Sequence, residues 1–127
     1  MLKSISLCFA VENEAFKNIK NEIPNAESLK DLINRIMPYW RSQIVPKIKT
    51  GENILIVAHG TSLRGLVKEI EDLTNDEVNQ LNLPTAIPFV YELNPETLKP
   101  LNSRKYLADE ETVRAAVEKV ASIGSKK

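Results

Sequence analysis

The stretch from residue 53 to residue 65, NILIVAHGTSLRG, constrains the fold of this chain more than any other part of it. Residues 54–58 are continuously apolar and rich in β-branched side chains, which is typical of a strand covered on both faces. The only histidine, His59, follows directly, and Gly60 leads into an amphipathic helix predicted over residues 63–73. The pattern therefore predicts a strand–turn–helix unit of an α/β fold.

The end of this predicted strand is also a candidate anion site. Ligands of open α/β sheets usually bind at the carboxyl ends of strands, and the backbone N–H groups at a helix start attract oxyanions. This placement favours a phosphate site at His59. The alternative is a hydrogen-bonded structural histidine, because strand–turn–helix units occur in proteins of many functions.

Helical periodicity before this unit predicts a helix with Asn25 as its N-cap and one apolar face. Pro38 should kink or restart that helix, and Gly51 should stop it. Trp40 lies on the apolar stripe and is expected to be a packing anchor rather than a stacking platform.

Beyond the unit, Thr74 and Glu77 have the spacing of a capping box and predict a short helix. A second strand is predicted over residues 88–93, followed by an irregular connection over residues 94–106. Asp109 is the predicted cap of a final helix that runs through residue 121.

Composition excludes several classes of function. The chain has 127 residues, 43% of them apolar, and 17 basic residues balance 17 acidic ones, so nothing indicates nucleic-acid binding or a polybasic membrane anchor. No stretch approaches the ~20 apolar residues that cross a bilayer. Cys8 is the only cysteine, which excludes an internal disulfide and suits a reducing compartment, and the weak signal-peptide pattern near the N-terminus lacks a cleavage motif. We expect a cytoplasmic protein.

A series of motifs then resembles one known family. From residue 23 onward the order and spacing of these motifs is similar to the C-terminal half of the cofactor-dependent phosphoglycerate mutases of the histidine phosphatase superfamily. The motifs are Glu27-Ser28-Leu29-Lys30-Asp31, Pro38-Tyr39-Trp40, Ile44-Val45-Pro46, Ala58-His59-Gly60, Ser62-Leu63-Arg64-Gly65, Leu81-Asn82-Leu83-Pro84-Thr85, Ile87-Pro88, Tyr91-Glu92-Leu93 and Asp109-Glu110-Glu111-Thr112-Val113-Arg114.

The resemblance implies a partial three-layer α/β/α fold that lacks the family's first strand, which ends in an Arg-His-Gly motif. It divides the chain into an irregular segment (residues 1–22), the C-terminal half of a mutase-like domain (residues 23–123) and a short basic tail (residues 124–127). In the family the first strand lies between the counterparts of the two strands predicted here, so their edges should be unpaired.

The resemblance also implies the chemistry. Family members interconvert 3-phosphoglycerate and 2-phosphoglycerate through a phosphohistidine that is primed by 2,3-bisphosphoglycerate, without a metal. His59 corresponds to the second histidine, which stabilises the transferring group and is not the nucleophile. Gly60 lets the backbone approach the substrate, and Thr61 stands where the family commonly has Asn, so both are expected to bind substrate.

Other polar residues near His59 have a structural alternative. Ser62 has no second histidine to activate it as a nucleophile and is expected to be an N-cap. Arg64 and Lys68 are candidates to contact an anion, although Lys68 is better explained as solvated surface. An acidic cluster of Glu69, Glu71 and Asp72 is expected to be solvated rather than to bind a metal.

Three functional interpretations stay open. The first is a phosphoglycerate mutase that is inactive alone, because it lacks the phospho-accepting histidine, and that works only with a complementary mutase chain or as a homo-oligomer. The second is a catalytically dead binding or regulatory partner of a full-length mutase. The third is a truncated gene product without a function of its own.

Overall fold

The computed structural model describes residues 26–124, which combine helices with one small antiparallel sheet. The elements are α1 (Leu29–Tyr39), a π-helical turn (Trp40–Ile44), α2 (Val45–Lys49), α3 (Gly60–Glu71), α4 (Asn75–Gln80), β1 (Phe89–Val90), β2 (Lys105–Tyr106) and α5 (Glu110–Gly124). This mixture is consistent with the α/β class. The three-layer arrangement and the domain boundaries stay predictions, since residues 1–25 and 125–127 lie outside the described residues.

Helix α1 begins three residues later than the sequence suggested. Ser28 is its N-cap: the Ser28 hydroxyl accepts a bond from the Asp31 N–H at 3.2 Å, and the Asp31 carboxylate accepts one from the Ser28 N–H at 3.1 Å. The prediction of Asn25 as the cap was wrong, because a serine followed by an acid three residues later forms a complete capping box. Asn25 itself lies outside the described residues.

Pro38 lies inside α1, which continues to Tyr39, and the regular α-helical pattern changes just after it. Since Pro38 has no N–H, the regular hydrogen-bond series cannot pass through it, and the π-helical turn follows directly. Helix α2 then ends in a Schellman motif, in which the N–H groups of Gly51 and Glu52 bond the carbonyls of Ile48 and Lys47 at 3.0 and 3.1 Å. Gly51 has a φ of 83°, which confirms it as the stop residue.

The core lies between α1, the π-helical turn and α3. Its central cluster consists of Met37, Trp40, Leu66 and Ile70. Trp40 is buried and confirms its predicted role as a packing anchor. Gly65 is the point of close approach between the helices, because a Cβ atom built there would lie 3.0 Å from Ile33 Cγ1. A larger residue where α1 crosses α3 would therefore fit only if the Ile33 side chain shifted by a few tenths of an ångström.

The strand predicted over residues 53–58 is not formed in the described part of the chain. These residues have no regular secondary structure and no hydrogen bond to any other residue within 26–124. Ile56 packs against the core, but Leu55 and Val57 are 87% and 79% exposed. The expectation of a strand covered on both faces was wrong here, because a strand exists only by bonding to a neighbour.

The second predicted strand forms only in part. Phe89 pairs with Tyr106 across β1 and β2, and an isolated bridge joins Leu93 to Pro100. The connection is closed by an Asn94 side chain that accepts bonds from two following N–H groups at 2.8 and 3.1 Å. The connection is irregular as predicted from residue 94 to residue 104 apart from that bridge, but Lys105 and Tyr106 form β2 and return as the second arm of a hairpin. The prediction missed β2 because β2 had no signal from hydrophobic alternation.

Two further helix starts were correctly predicted. The hydroxyl of Thr74 accepts a bond from the Glu77 N–H at 3.2 Å, and the Glu77 carboxylate accepts one from the Thr74 N–H at 2.7 Å. Asp109 accepts a bond from the Thr112 N–H at 2.9 Å at the start of α5. Hydrogen bonds from Thr74 to the carboxylate hold the pKa of Glu77 below its ordinary value of 4.5.

We expect the substitution Gly65→Val to lower the free energy of unfolding by about 2 kcal/mol, because the added methyl groups would overlap the α1 isoleucines. Urea unfolding measures the change. The control is Ala115→Val, which adds the two γ-methyl groups of valine at an exposed position of α5. Equal stability of the two variants would contradict the close contact between α1 and α3.

The Glu77 cap predicts a dependence of stability on pH. Since the folded-state pKa is lowered, the stabilisation is fully present above the ordinary value of 4.5 and is lost as the pH falls through the folded value. Near neutral pH the Glu77→Gln variant should therefore unfold at a lower urea midpoint than the natural chain. In acid the two midpoints should become equal. A constant difference across this range would show that ionised Glu77 is not the cap.

Candidate functional site

His59 is the N-cap of helix α3. Its backbone is extended, with φ −63° and ψ 149°, and its carbonyl accepts the first helical bond from the Leu63 N–H at 3.0 Å. Its imidazole Nδ1 accepts a hydrogen bond from the Thr61 N–H at 3.3 Å. The side chain is exposed, so the ring is oriented by its own helix and not by a packed pocket.

This cap determines which ring nitrogen carries the proton. Nδ1 can accept from an N–H group only when it has no proton, so the neutral imidazole carries its hydrogen on Nε2. Nε2 has no hydrogen-bond partner among residues 26–124. His59 therefore presents an N–H donor outward at the positive end of a helix dipole, which suits an anionic partner.

The residues that follow His59 contribute to the candidate site mainly through their backbone groups and less through their side chains. A Cβ atom built on Gly60 would meet nothing within 4 Å, so the space beside this residue is open in the described part of the chain. The Thr61 N–H is taken up by His59, and the Thr61 side chain is half-buried. Ser62 is the third residue of α3, so its prediction as the N-cap was wrong: the helix starts three residues earlier than expected and His59 caps it.

Arg64 and Lys68, the two candidate anion contacts, are used by the fold. The Arg64 guanidinium donates to the Val78 carbonyl at 2.6 and 3.2 Å and to the Asn79 carbonyl at 3.2 Å, at the C-terminal end of α4. Lys68 donates to the Leu73 carbonyl at 2.7 Å, beyond the end of its own helix. Both cations satisfy carbonyl groups at helix ends, where positive charge is favourable.

The acidic cluster is not simply solvated surface. Glu69 pairs with Arg41 at 3.2 Å, and Asp72 pairs with Lys99 at 3.5 Å. Glu71 accepts a hydrogen bond from the Tyr91 hydroxyl. Each carboxylate thus reaches a different partner, and residues 26–124 contain no group of three or more His, Cys, Asp or Glu side chains placed to hold a metal ion.

The contact between Glu71 and Tyr91 belongs to a half-buried network that sequence patterns did not indicate. The Arg104 guanidinium lies 3.7 Å from the Glu71 carboxylate and stacks over the rings of Phe89 and Tyr106, 5.7 and 5.6 Å from their centroids. Its Nε and one terminal nitrogen are buried and have no hydrogen-bond partner among residues 26–124, so contact with the aromatic faces is favourable for this cation. Burial, together with the bond to Glu71, raises the pKa of Tyr91 above its ordinary value.

None of the three predicted site residues lines the best-formed depression in the described part of the chain. An open depression of about 370 Å³ lies elsewhere on the surface; it is lined by Tyr106, Ala108, Glu110, Val113 and Arg114. His59, Gly60 and Thr61 instead form an open shelf at the start of α3. The helices within residues 26–124 are too short or too polar to span a bilayer.

Comparison with known proteins shows the family to which this chain belongs. Residues 8–102 match the model of the histidine phosphatase superfamily (branch 1), and the chain therefore belongs to this superfamily. It is 47% identical over 122 residues to the 2,3-bisphosphoglycerate-dependent phosphoglycerate mutases of two strains of Bacteroides fragilis. These alignments cover 91% of this chain and 48% of each relative, so the chain spans about half the length of the curated relatives it matches. The predicted resemblance is confirmed.

The capping role of His59 can be separated from its Nε2 donor by two substitutions. His59→Asn keeps an acceptor suited to an N-cap, whereas His59→Ala removes it, so the alanine variant should unfold with a free energy about 1 kcal/mol lower than the asparagine variant. Urea unfolding of the two variants makes the comparison. An alanine variant as stable as the asparagine variant would contradict the cap.

Proposed function

We propose that this chain supplies the second-histidine part of a phosphoglycerate mutase site. The reaction is the interconversion of 3-phosphoglycerate and 2-phosphoglycerate through a phosphohistidine, primed by 2,3-bisphosphoglycerate. The observation that supports the proposal most is His59 at the start of α3, with Nδ1 occupied by the cap and Nε2–H directed away from it. The 47% identity to proteins named for this activity supports the choice of substrate.

The geometry suits stabilisation of a transferring phosphoryl group. Negative charge spreads over the equatorial oxygens during the transfer, and a fixed donor becomes more effective as that charge develops. The Nε2–H of His59 is such a donor, and Gly60 leaves the backbone beside it accessible. Arg64 and Lys68 are not assigned to the substrate, because carbonyl groups of the fold already hold them.

The proposed chemistry requires another histidine, in addition to His59, as the phosphoryl acceptor. The 127 residues contain His59 alone, and its Nδ1 is engaged by the helix. An acceptor histidine must therefore come from outside these residues. We infer that the isolated 127-residue polypeptide does not turn over phosphoglycerate, and that a polypeptide with the remaining half of such a domain restores turnover.

A coupled assay of 3-phosphoglycerate conversion tests this division of labour. The chain is assayed alone and together with a fragment of the Bacteroides fragilis mutase that comprises the part this chain does not match. We expect turnover only in the mixture. Turnover by the chain alone would refute the need for an external histidine, and a mixture without turnover would refute the proposed function.

In the same mixture His59→Asn should lower kcat by about 100-fold, because it keeps the helix cap but removes the Nε2 donor. The matched control is Asn79→His, which places an imidazole at an exposed position of α4. If His59→Asn retains full turnover, His59 does not assist the transfer.

A further inference from the structure

Two side chains from opposite arms of the hairpin reach the same carboxylate oxygen at the end of helix α3. Glu71 is the last residue of α3, Tyr91 directly follows β1, and Arg104 directly precedes β2. The Tyr91 hydroxyl donates to Glu71 Oε1, and Arg104 Nη1 lies 3.7 Å from that same oxygen. A separation of 3.7 Å is too long for a hydrogen bond, so of these two donors only Tyr91 is hydrogen-bonded to the oxygen.

Arg104 is the side chain that this arrangement leaves unsatisfied. Its Nη1 and Nε are buried and have no hydrogen-bond partner among residues 26–124, and only 17% of the side chain is exposed. The rings of Phe89 and Tyr106 attract the cation, but aromatic faces replace hydrogen bonds only weakly. Because a buried donor without an acceptor costs free energy, a bond from Nη1 to Glu71 would remove part of that cost.

Tyr91 keeps its donor throughout the ordinary pH range. Burial, together with the bond to Glu71, raises the pKa of Tyr91, so the hydroxyl stays protonated. The ring meets Phe89 edge to face, with centroids 5.9 Å apart. The hydroxyl is therefore presented to Glu71 by a ring that is itself packed into the hairpin.

We propose that Tyr91 and Arg104 compete for Glu71 Oε1, and that Tyr91 keeps this oxygen beyond the hydrogen-bonding distance of Arg104. The hairpin then has two alternative attachments to α3, one through each arm, and in the natural chain the β1 arm is the one that is bonded. Removal of the Tyr91 hydroxyl transfers the attachment to the β2 arm. This device is independent of the proposed catalytic role, since no residue of the shelf takes part in it.

Competition and cooperation predict opposite signs of the coupling between the two donors. If Arg104 reinforced the bond between Tyr91 and Glu71, as members of a polar network can, loss of the hydroxyl would make Arg104 less important for stability. If the two donors compete, loss of the hydroxyl frees the oxygen for Arg104 and makes it more important. A double-mutant cycle measures this sign directly.

The cycle combines Tyr91→Phe with Arg104→Met in the full chain and is read by urea unfolding. Tyr91→Phe removes only the hydroxyl, and Arg104→Met removes the guanidinium but keeps an unbranched side chain. Loss of the contacts between the guanidinium and the aromatic rings occurs in both backgrounds, so it cancels in the cycle. We expect Arg104→Met to lower the folding equilibrium constant at least about ten-fold more in the Tyr91→Phe chain than in the natural chain.

Two control cycles show whether the shared carboxylate carries the coupling. Arg41→Met removes an arginine that pairs with a different carboxylate of α3, Glu69, at 3.2 Å, and it should show no coupling to Tyr91→Phe. A Glu71→Met chain lacks the contested oxygen, so the coupling between Tyr91 and Arg104 should vanish when the main cycle is repeated there.

A crystal structure of the Tyr91→Phe chain gives a second measurement, which does not depend on whether the arginine variants fold. The separation between Arg104 Nη1 and Glu71 Oε1 should shorten from 3.7 Å to about 3 Å, the length of a hydrogen bond. An unchanged separation, a coupling of zero or of the opposite sign, a coupling that survives Glu71→Met, or an equal coupling for Arg41→Met would each overturn the competition.

Discussion

The burial of one face of helix α3 against α1 is the contact on which the rest of the structure depends. Leu66 and Ile70 pack against Met37 and Trp40, and Gly65 allows the two helices to approach closely. Apolar burial of this kind is the main stabilising force available to a small domain. Since α3 is fixed along its length, its first turn has a defined direction even though that turn lies at the surface. The orientation of His59 follows from this.

Polar side chains then attach the remaining elements to this helix pair. Arg64 and Lys68 bind carbonyl groups after α3, and Glu71 reaches the hairpin through Tyr91 and Arg104. Exposed ion pairs contribute little to stability. A half-buried network fixes the relative orientation of the elements that it joins, because leaving its polar groups unpaired costs free energy. The charged residues of α3 therefore position α4 and the hairpin, while His59, the N-cap of this helix, presents its Nε2–H donor outward.

The segment before His59 has the sequence of a strand but is exposed in the described part of this member of the histidine phosphatase superfamily. Residues 53–58 have the composition of a buried strand, yet within residues 26–124 no neighbour bonds to them. A strand-type sequence without a partner leaves main-chain groups to water and apolar side chains exposed, and both are resolved by the addition of another strand. At the end of this segment, helix α3 alone already sets the cap and the ring tautomer of His59.

The features that could be predicted from the amino-acid sequence are those that depend on short-range chemistry. The capping box at Thr74, the cap at Asp109, the stop at Gly51 and the family motifs around His59 were all readable, because each needs only residues a few positions apart. The cap at Ser28 was missed although its capping-box spacing with Asp31 is readable in the sequence. The cap at His59 was missed because Ser62, a more common N-cap residue, lies close by. Tertiary structure alone decided that residues 53–58 lack a partner within the described chain, that β2 returns to β1, and that Arg64 and Glu71 serve the fold. Those outcomes depend on groups distant in sequence that must meet in space, and hydrophobic spacing along one segment carries no information about its neighbour.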